Sequence, residues 1–255
     1  MVKVAEILRP SKVEYANYAI NHVRGCAHGC SYCFARKMAK RFGWIKTNAE
    51  WHRRPQIVEN TLELLDKEIP KKKHKIENVH LSFMTDPFMV GYPKVEELSL
   101  TIIERLHNAE IPVQTLTKGV TPRALMDGDT YGYDNYYGAT IVSFDYKFYE
   151  RWEPYAAQPM DRLLALRELH KAGFKTWVSI EPYPTPNKFN QDIDNVLWML
   201  GFVDRIVFGK WNYSKTVNEF TCKQAYYDYC ACRVIEFGKE KGIDVHIKKG
   251  TVKDA

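Results

Sequence analysis

Cys26, Cys30 and Cys33 lie in one short run, Cys26-Ala27-His28-Gly29-Cys30-Ser31-Tyr32-Cys33, with the spacing C-x3-C-x2-C. Thiolates are soft ligands suited to iron and zinc. Three of them on a tight glycine-containing loop can hold three iron corners of a cubane 4Fe–4S cluster, whose usual complement is four. The missing fourth thiolate leaves one iron open, which is useless to a plain electron carrier but lets a small molecule chelate the metal. The same triplet would suit structural zinc if His28 or His22 supplied a fourth ligand. Zinc modules commonly pair two ligand knuckles, however, and no second pair lies nearby. A second triplet, Cys222, Cys230 and Cys232, sits near the end of the chain, with no cysteine between the two groups. On a helix at about 100° per residue, Cys222 and Cys230 are about 80° apart and Cys232 points about 200° from Cys230. One face cannot present all three, so they read as buried, inert cysteines rather than a second cluster.

These residues need a scaffold. The chain has 255 residues, 45% hydrophobic and 13% aromatic, enough for a sizeable core. Tight cysteine triplets separated by a long gap argue against a secreted disulfide framework. No apolar run is long enough to span a bilayer, and residues 1–10 lack the apolar stretch of a signal peptide; a cytoplasmic protein with no membrane partner is expected. The formal net charge of +6 suits a phosphate-bearing partner without demanding one. Short β-branched or aromatic runs near 19–24, 79–83, 113–116, 139–144, 176–180, 205–208 and 245–247 predict strands. Between them, 31–41, 55–67, 95–108, 160–172, 192–200 and 223–241 have helical spacing, two of them stopped by Gly173 and Gly242. This alternation predicts an α/β fold with a parallel sheet covered by helices, wound by right-handed crossovers into a partial (β/α)6 TIM-like barrel. It also predicts one domain over 1–255, with its core at about 13–249. Function in such barrels collects where the strands end, and those places read Arg24-Gly25-Cys26, Thr85-Asp86-Pro87, Thr117-Lys118, Glu181-Pro182, Lys210 and Lys248-Lys249.

The cysteine spacing, the aromatic Tyr32 before the third cysteine and the basic Arg36-Lys37 after it resemble the radical S-adenosylmethionine (radical SAM) superfamily. The stretches Val13-Glu14-Tyr15-Ala16-Asn17-Tyr18, Gly25-Cys26, Tyr32-Cys33-Phe34-Ala35-Arg36, Thr85-Asp86-Pro87 and Ile180-Glu181-Pro182 more narrowly resemble a phage- and mobile-element-encoded branch related to spore photolyase. The resemblance implies a 4Fe–4S cluster on Cys26, Cys30 and Cys33, with S-adenosylmethionine chelating the open iron. It further implies reduction by a flavodoxin- or ferredoxin-type donor, and a 5′-deoxyadenosyl radical that removes a substrate hydrogen. By position, the resemblance places Thr85 and Asp86 at the methionine amino group. Thr117, Lys118 and Ser143 fall at the carboxylate or ribose, Glu181 at the ribose or a polar substrate atom, and Tyr32 near the adenine. A phage-encoded protein would act in the host cytoplasm.

The substrate implied is a nucleic-acid base or nucleotide, to be modified, rearranged or repaired. The chain is shorter than spore photolyase and has no evident counterpart of its hydrogen-donor cysteine, so modification or rearrangement fits better than lesion repair. The same chemistry on a small metabolite or amino-acid derivative is the alternative within this class. A non-catalytic zinc-stabilised nucleic-acid-binding module is the alternative outside it. The tyrosine-rich runs 131–137 and 146–155 could stack bases, but read better as amphipathic cover of the barrel. The lysine run 71–75 reads as a solvated loop.

Overall fold

The computed structural model describes residues 2–253. Among the described residues ten strands form: β1 (Arg9–Pro10), β2 (Tyr18–Ile20), β3 (Val23–Arg24), β4 (Gln56–Ile57), β5 (Val79–Leu81), β6 (Val113–Thr117), β7 (Tyr136–Thr140), β8 (Lys175–Tyr183), β9 (Arg205–Lys210) and β10 (Asp244–Ile247). Eight make one open sheet in the order β1-β2-β5-β6-β7-β8-β9-β10, while β3 and β4 pair separately. From β2 to β10 the main-sheet neighbours are parallel, and only β1 runs antiparallel, at the edge. The fold is therefore the expected α/β architecture. Side chains bring its two edges together: Glu14, between β1 and β2, accepts hydrogen bonds from His246 Nε2 of β10 at 2.9 Å and from the backbone N–H of Lys249 at 3.1 Å.

The long helices are where the periodicity puts them. The helix Pro93–Asn108 starts with proline in its first turn and buries Val95, Ile102, Ile103 and Leu106. The helix Pro159–Lys171 buries Leu163, Leu166 and Leu169, and Gly173 after it adopts φ +88°. The helix Lys223–Lys241 ends on Gly242 at φ +70°.

Local boundaries depart from the sequence reading where a side chain intervenes. The first strand stops at Ile20 because Asn21 turns away to accept the Met84 N–H at 2.8 Å. The helix after the cysteines begins at Phe34, three residues late, because Cys33 serves as its N-cap. Residues 56–57 pair with β3, so the helix read over 55–67 is instead Thr61–Lys72. That extension takes in part of the lysine run: Lys72 is no solvated loop residue but reaches Glu6 at 2.6 Å and Glu68 at 2.8 Å. The fourth parallel strand begins at Tyr136 rather than 139, after Asn135 accepts the Val113 N–H at 2.7 Å. Its Tyr137 is buried and Tyr133 stacks on Phe174, so this run covers the barrel. Of the late cysteines only Cys230 is buried; Cys222, beginning the last long helix, and Cys232, on its outer face, are exposed. The helical period that separates them thus puts two in solvent rather than hiding all three. Among the described residues no helix is long and apolar enough to cross a membrane.

Candidate active site

The cysteine loop is held by backbone from two sides and by a bond within itself. The Cys26 N–H donates to Trp51 O at 3.0 Å, Ser31 N–H to Trp152 O at 3.0 Å, and Cys33 N–H to Cys30 O at 3.1 Å. Gly25 has φ +87°, and a Cβ there would lie 2.8 Å from Trp51 O, so only glycine lets the loop leave β3 at this angle. All three thiols face a cavity of about 320 Å³ at the C-terminal ends of the parallel strands. Burial pushes the Cys26 thiol up, with the nearby Asp86 charge adding to it, and pushes Cys30 up to about 12 although Lys118 opposes this. Burial thus disfavours the free thiolate at Cys26 and Cys30.

Asp86 ties the loop to the sheet. Its carboxylate accepts the Thr117 hydroxyl at 2.6 Å, the Lys118 N–H at 2.7 Å and the Phe88 N–H at 3.0 Å. His28 Nδ1 is 3.3 Å from it, while His28 Nε2 accepts the Val90 N–H at 3.0 Å. Burial alone would raise the Asp86 pKa, but His28 and these donors bring it down to about 2. Both ring nitrogens of His28 are thereby engaged, and those of His22 face Ser99 at 2.8 Å and Ser82 at 3.3 Å. Neither histidine has a nitrogen left for zinc. Among the described residues, no three His, Cys, Asp or Glu side chains gather as a single metal ion would require.

On the other side, Tyr32 donates its hydroxyl to Glu153, which pairs with Arg162 at 2.7 Å with both charges buried. Burial works against the Glu153 carboxylate, yet Arg162 and Lys118 hold it below the usual range. Arg162 also donates to Thr140 O at 2.8 Å and Ala157 O. Neither charge was found from the sequence. The available signal was Arg162 itself, a cation beside Leu163 and Leu166 on the apolar face of its helix.

Tyr32, Thr85, Asp86, Thr117, Lys118 and Glu181 all line the cavity with the cysteines. Ser143 does not: it is buried and accepts the Asp145 N–H at 3.1 Å. Because the fourth parallel strand ends three residues before Ser143, Thr140 takes the wall position instead. Asp86 and Thr117 are paired with each other, whereas the Thr85 hydroxyl is buried without a partner. His80 Nδ1, in the same wall, is likewise unpartnered, and burial followed by Lys248 brings its pKa down to about 3. Glu181 is 3.4 Å from Lys248; burial raises its pKa and Lys248 and Lys118 partly offset that. Lys118, Lys210 and Lys248 share the wall, while the Lys249 backbone N–H donates to Glu14. Soft thiol donors, buried polar atoms lacking partners and a cationic wall fit an iron–sulfur cluster with a charged, polar organic ligand beside it.

Comparison with known proteins agrees. A family model described as the Radical SAM superfamily matches residues 20–199. An uncharacterized protein of Acidianus two-tailed virus is 25% identical over 213 residues, spanning 76% of this chain and 68% of that protein. One from Methanocaldococcus jannaschii is 27% identical over 184 residues, 71% of this chain and 66% of that protein. One from Mycobacterium bovis is 24% identical over 212 residues and is spanned for 62% of its length. Among solved structures, spore photoproduct lyase complexed with dinucleoside spore photoproduct superposes with a TM-score of 0.71 at 14% identity, over 96% of this chain and 80% of that one. SuiB of Streptococcus suis bound to precursor peptide SuiA gives 0.60 at 11% identity, over 90% of this chain and 48% of that one. At such identities the structural likeness speaks for the fold. The chain belongs to the radical SAM superfamily, enzymes whose cofactors are a 4Fe–4S cluster and S-adenosylmethionine.

Proposed function

We propose that Cys26, Cys30 and Cys33 ligate the cluster, that Thr85, Lys118, Glu181 and Tyr32 bind S-adenosylmethionine, and that the substrate is a nucleic-acid base or nucleotide. When bound, the cofactors supply an electron and a 5′-deoxyadenosyl radical able to remove a hydrogen atom from carbon. The observation that carries this reading is one cavity uniting three thiols, the unpartnered Thr85 hydroxyl and the ammonium groups of Lys118, Lys210 and Lys248. The protein's own work is to position and to exclude water. Asp86 and Thr117, already bonded to each other, hold the Thr85 turn against β6 rather than reaching for the ligand. Tyr32, fixed by Glu153, offers its ring to a flat group beside the cysteines. The lysines offset phosphate charge, and Tyr15, Phe34, Phe83 and Tyr213 give the wall faces on which a base can stack. The likeness to a lyase solved with a dinucleoside supports this substrate class by analogy. A flavodoxin- or ferredoxin-type protein is the electron donor of this scheme, and residues 1–255 act as one domain.

Isotope transfer tests the proposal. The reconstituted, reduced enzyme would be given perdeuterated nucleosides, nucleotides, DNA, RNA or amino acids, and the 5′-deoxyadenosine analysed for deuterium. Transfer is expected from a nucleic-acid-derived compound. Transfer from amino acids alone would remove the substrate assignment and leave the radical chemistry standing.

A further inference from the structure

The charge of this protein is unevenly placed. Residues 34–54 contain seven lysines and arginines and a single acid, Glu50, an excess equal to the +6 of the entire chain. Glu50 is already occupied: its carboxylate accepts the backbone N–H groups of Lys46 at 2.9 Å and Thr47 at 3.2 Å in a capping box. None of the seven cations forms an ion pair among the described residues.

The segment also starts at the cavity. Phe34 and Ala35 line it, and the helix Phe34–Arg41 runs from the Cys33 cap for about 12 Å at 1.5 Å per residue. It carries Arg36, Lys37, Lys40 and Arg41 and no acid. Beyond its end, Phe42 and Trp44 are 58% and 62% exposed, with ring centroids 5.6 Å apart. Tyr213, in the cavity wall and 79% exposed, is joined to the helix by Lys37, which donates to its carbonyl at 3.1 Å. Exposed aromatic rings flank a cationic helix from the cavity rim to a second ring pair.

We propose that the helix Phe34–Arg41 and the turn through Trp44 are a track for a single-stranded polynucleotide, so that the base entering the cavity belongs to a strand and is not a free nucleotide. Lys40 and Arg41 meet phosphates, and Phe42 and Trp44 stack neighbouring bases. Unpaired cations alone would equally suit an acidic peptide; large rings set among them, exposed rather than packed, favour bases. The proposal rests on the nucleic-acid reading of the active site, but the surface is testable by binding alone.

The reconstituted enzyme would be titrated into a fluorescein-labelled single-stranded oligodeoxynucleotide, and into its RNA counterpart, at several salt concentrations by anisotropy. K40A/R41A is expected to weaken binding and to reduce the slope of log affinity against log salt by about 1.4, the release of two counterions from a single strand. Trp44→Ala is expected to weaken it about tenfold. Removing two cations from the other lysine run, K71A/K75A, should change neither. Iron content and substrate-free formation of 5′-deoxyadenosine should stay at the parent level in every variant, showing that the site is intact. Equal losses from both double variants, no loss from either, or displacement of the oligonucleotide by a poly-glutamate peptide at equal charge would overturn the track. Deuterium transfer from a free nucleotide as efficient as from an oligonucleotide would also overturn it while preserving the proposed function; absence of transfer from both would remove that function itself.

Discussion

At the residue scale, the cysteine loop depends on a buried charge pair that the motif does not reveal. Glu153 and Arg162 compensate each other in the interior, and Tyr32 is oriented by the same carboxylate. Truncating one partner strands the other, so Glu153→Ala should lower stability by about 3–5 kcal/mol in urea unfolding. Tyr32→Phe, which removes one hydroxyl and leaves the pair, should cost about 1.5–3 kcal/mol. The two cysteine groups should separate just as clearly. Cys30→Ala is expected to abolish assembly of a four-iron centre, read by iron and sulfide analysis after anaerobic reconstitution. Cys232→Ala, on an exposed helical face, should retain full stoichiometry; iron loss from that variant would mean that the late cysteines are ligands after all.

Among the elements, what matters is how closely neighbouring strand ends approach. A Cβ on Gly119 would lie 1.8 Å from the Phe88 carbonyl oxygen, so the turn after β6 and the turn after β5 touch backbone to backbone. This contact lets Asp86 reach Thr117 and Lys118. Gly119→Ala must separate the two turns, and the expected outcome is a loss of about 1–3 kcal/mol in thermal or urea unfolding. Faster amide exchange at Lys118, whose N–H Asp86 would no longer hold, should accompany it. The seven parallel strands and their order of appearance were readable from apolar runs, and so were the helices with clean stops such as Gly173 and Gly242, whereas β1 and β4 were not. Ends decided by a remote side chain were not: Asn135 reaches Val113 across 22 positions of sequence, and no local pattern announces it. The same shift of three residues explains why Ser143 was expected in the wall that Thr140 occupies.

For the whole molecule, edge closure depends on pH. Burial opposes ionisation of Glu14, but the Lys249 N–H and the His246 ring hold its carboxyl below the usual range. Its contribution is therefore present above the unfolded carboxylate pKa of about 4.3 and is lost as pH falls through the lower folded value. Glu14→Gln should cost about 1.5 kcal/mol at neutral pH, with the gap to the parent closing in acid; an undiminished gap at low pH would show that Glu14 acts by packing rather than charge. The cysteine spacing, the α/β alternation and the family resemblance were legible in the chain itself, because residue spacing and hydrophobic period are local properties. Folding in three dimensions decided that Lys118, Lys210 and Lys248 share one wall while Glu14 takes the Lys249 backbone N–H. It also decided that His28 is consumed by Asp86 and Val90, that Arg162 is neutralised by Glu153, and that four cations of the basic segment lie along one helix leaving the cavity. Those outcomes depend on which strands curl toward each other, and electrostatic and hydrogen-bonding partners are selected by distance in space, which local periodicity does not encode.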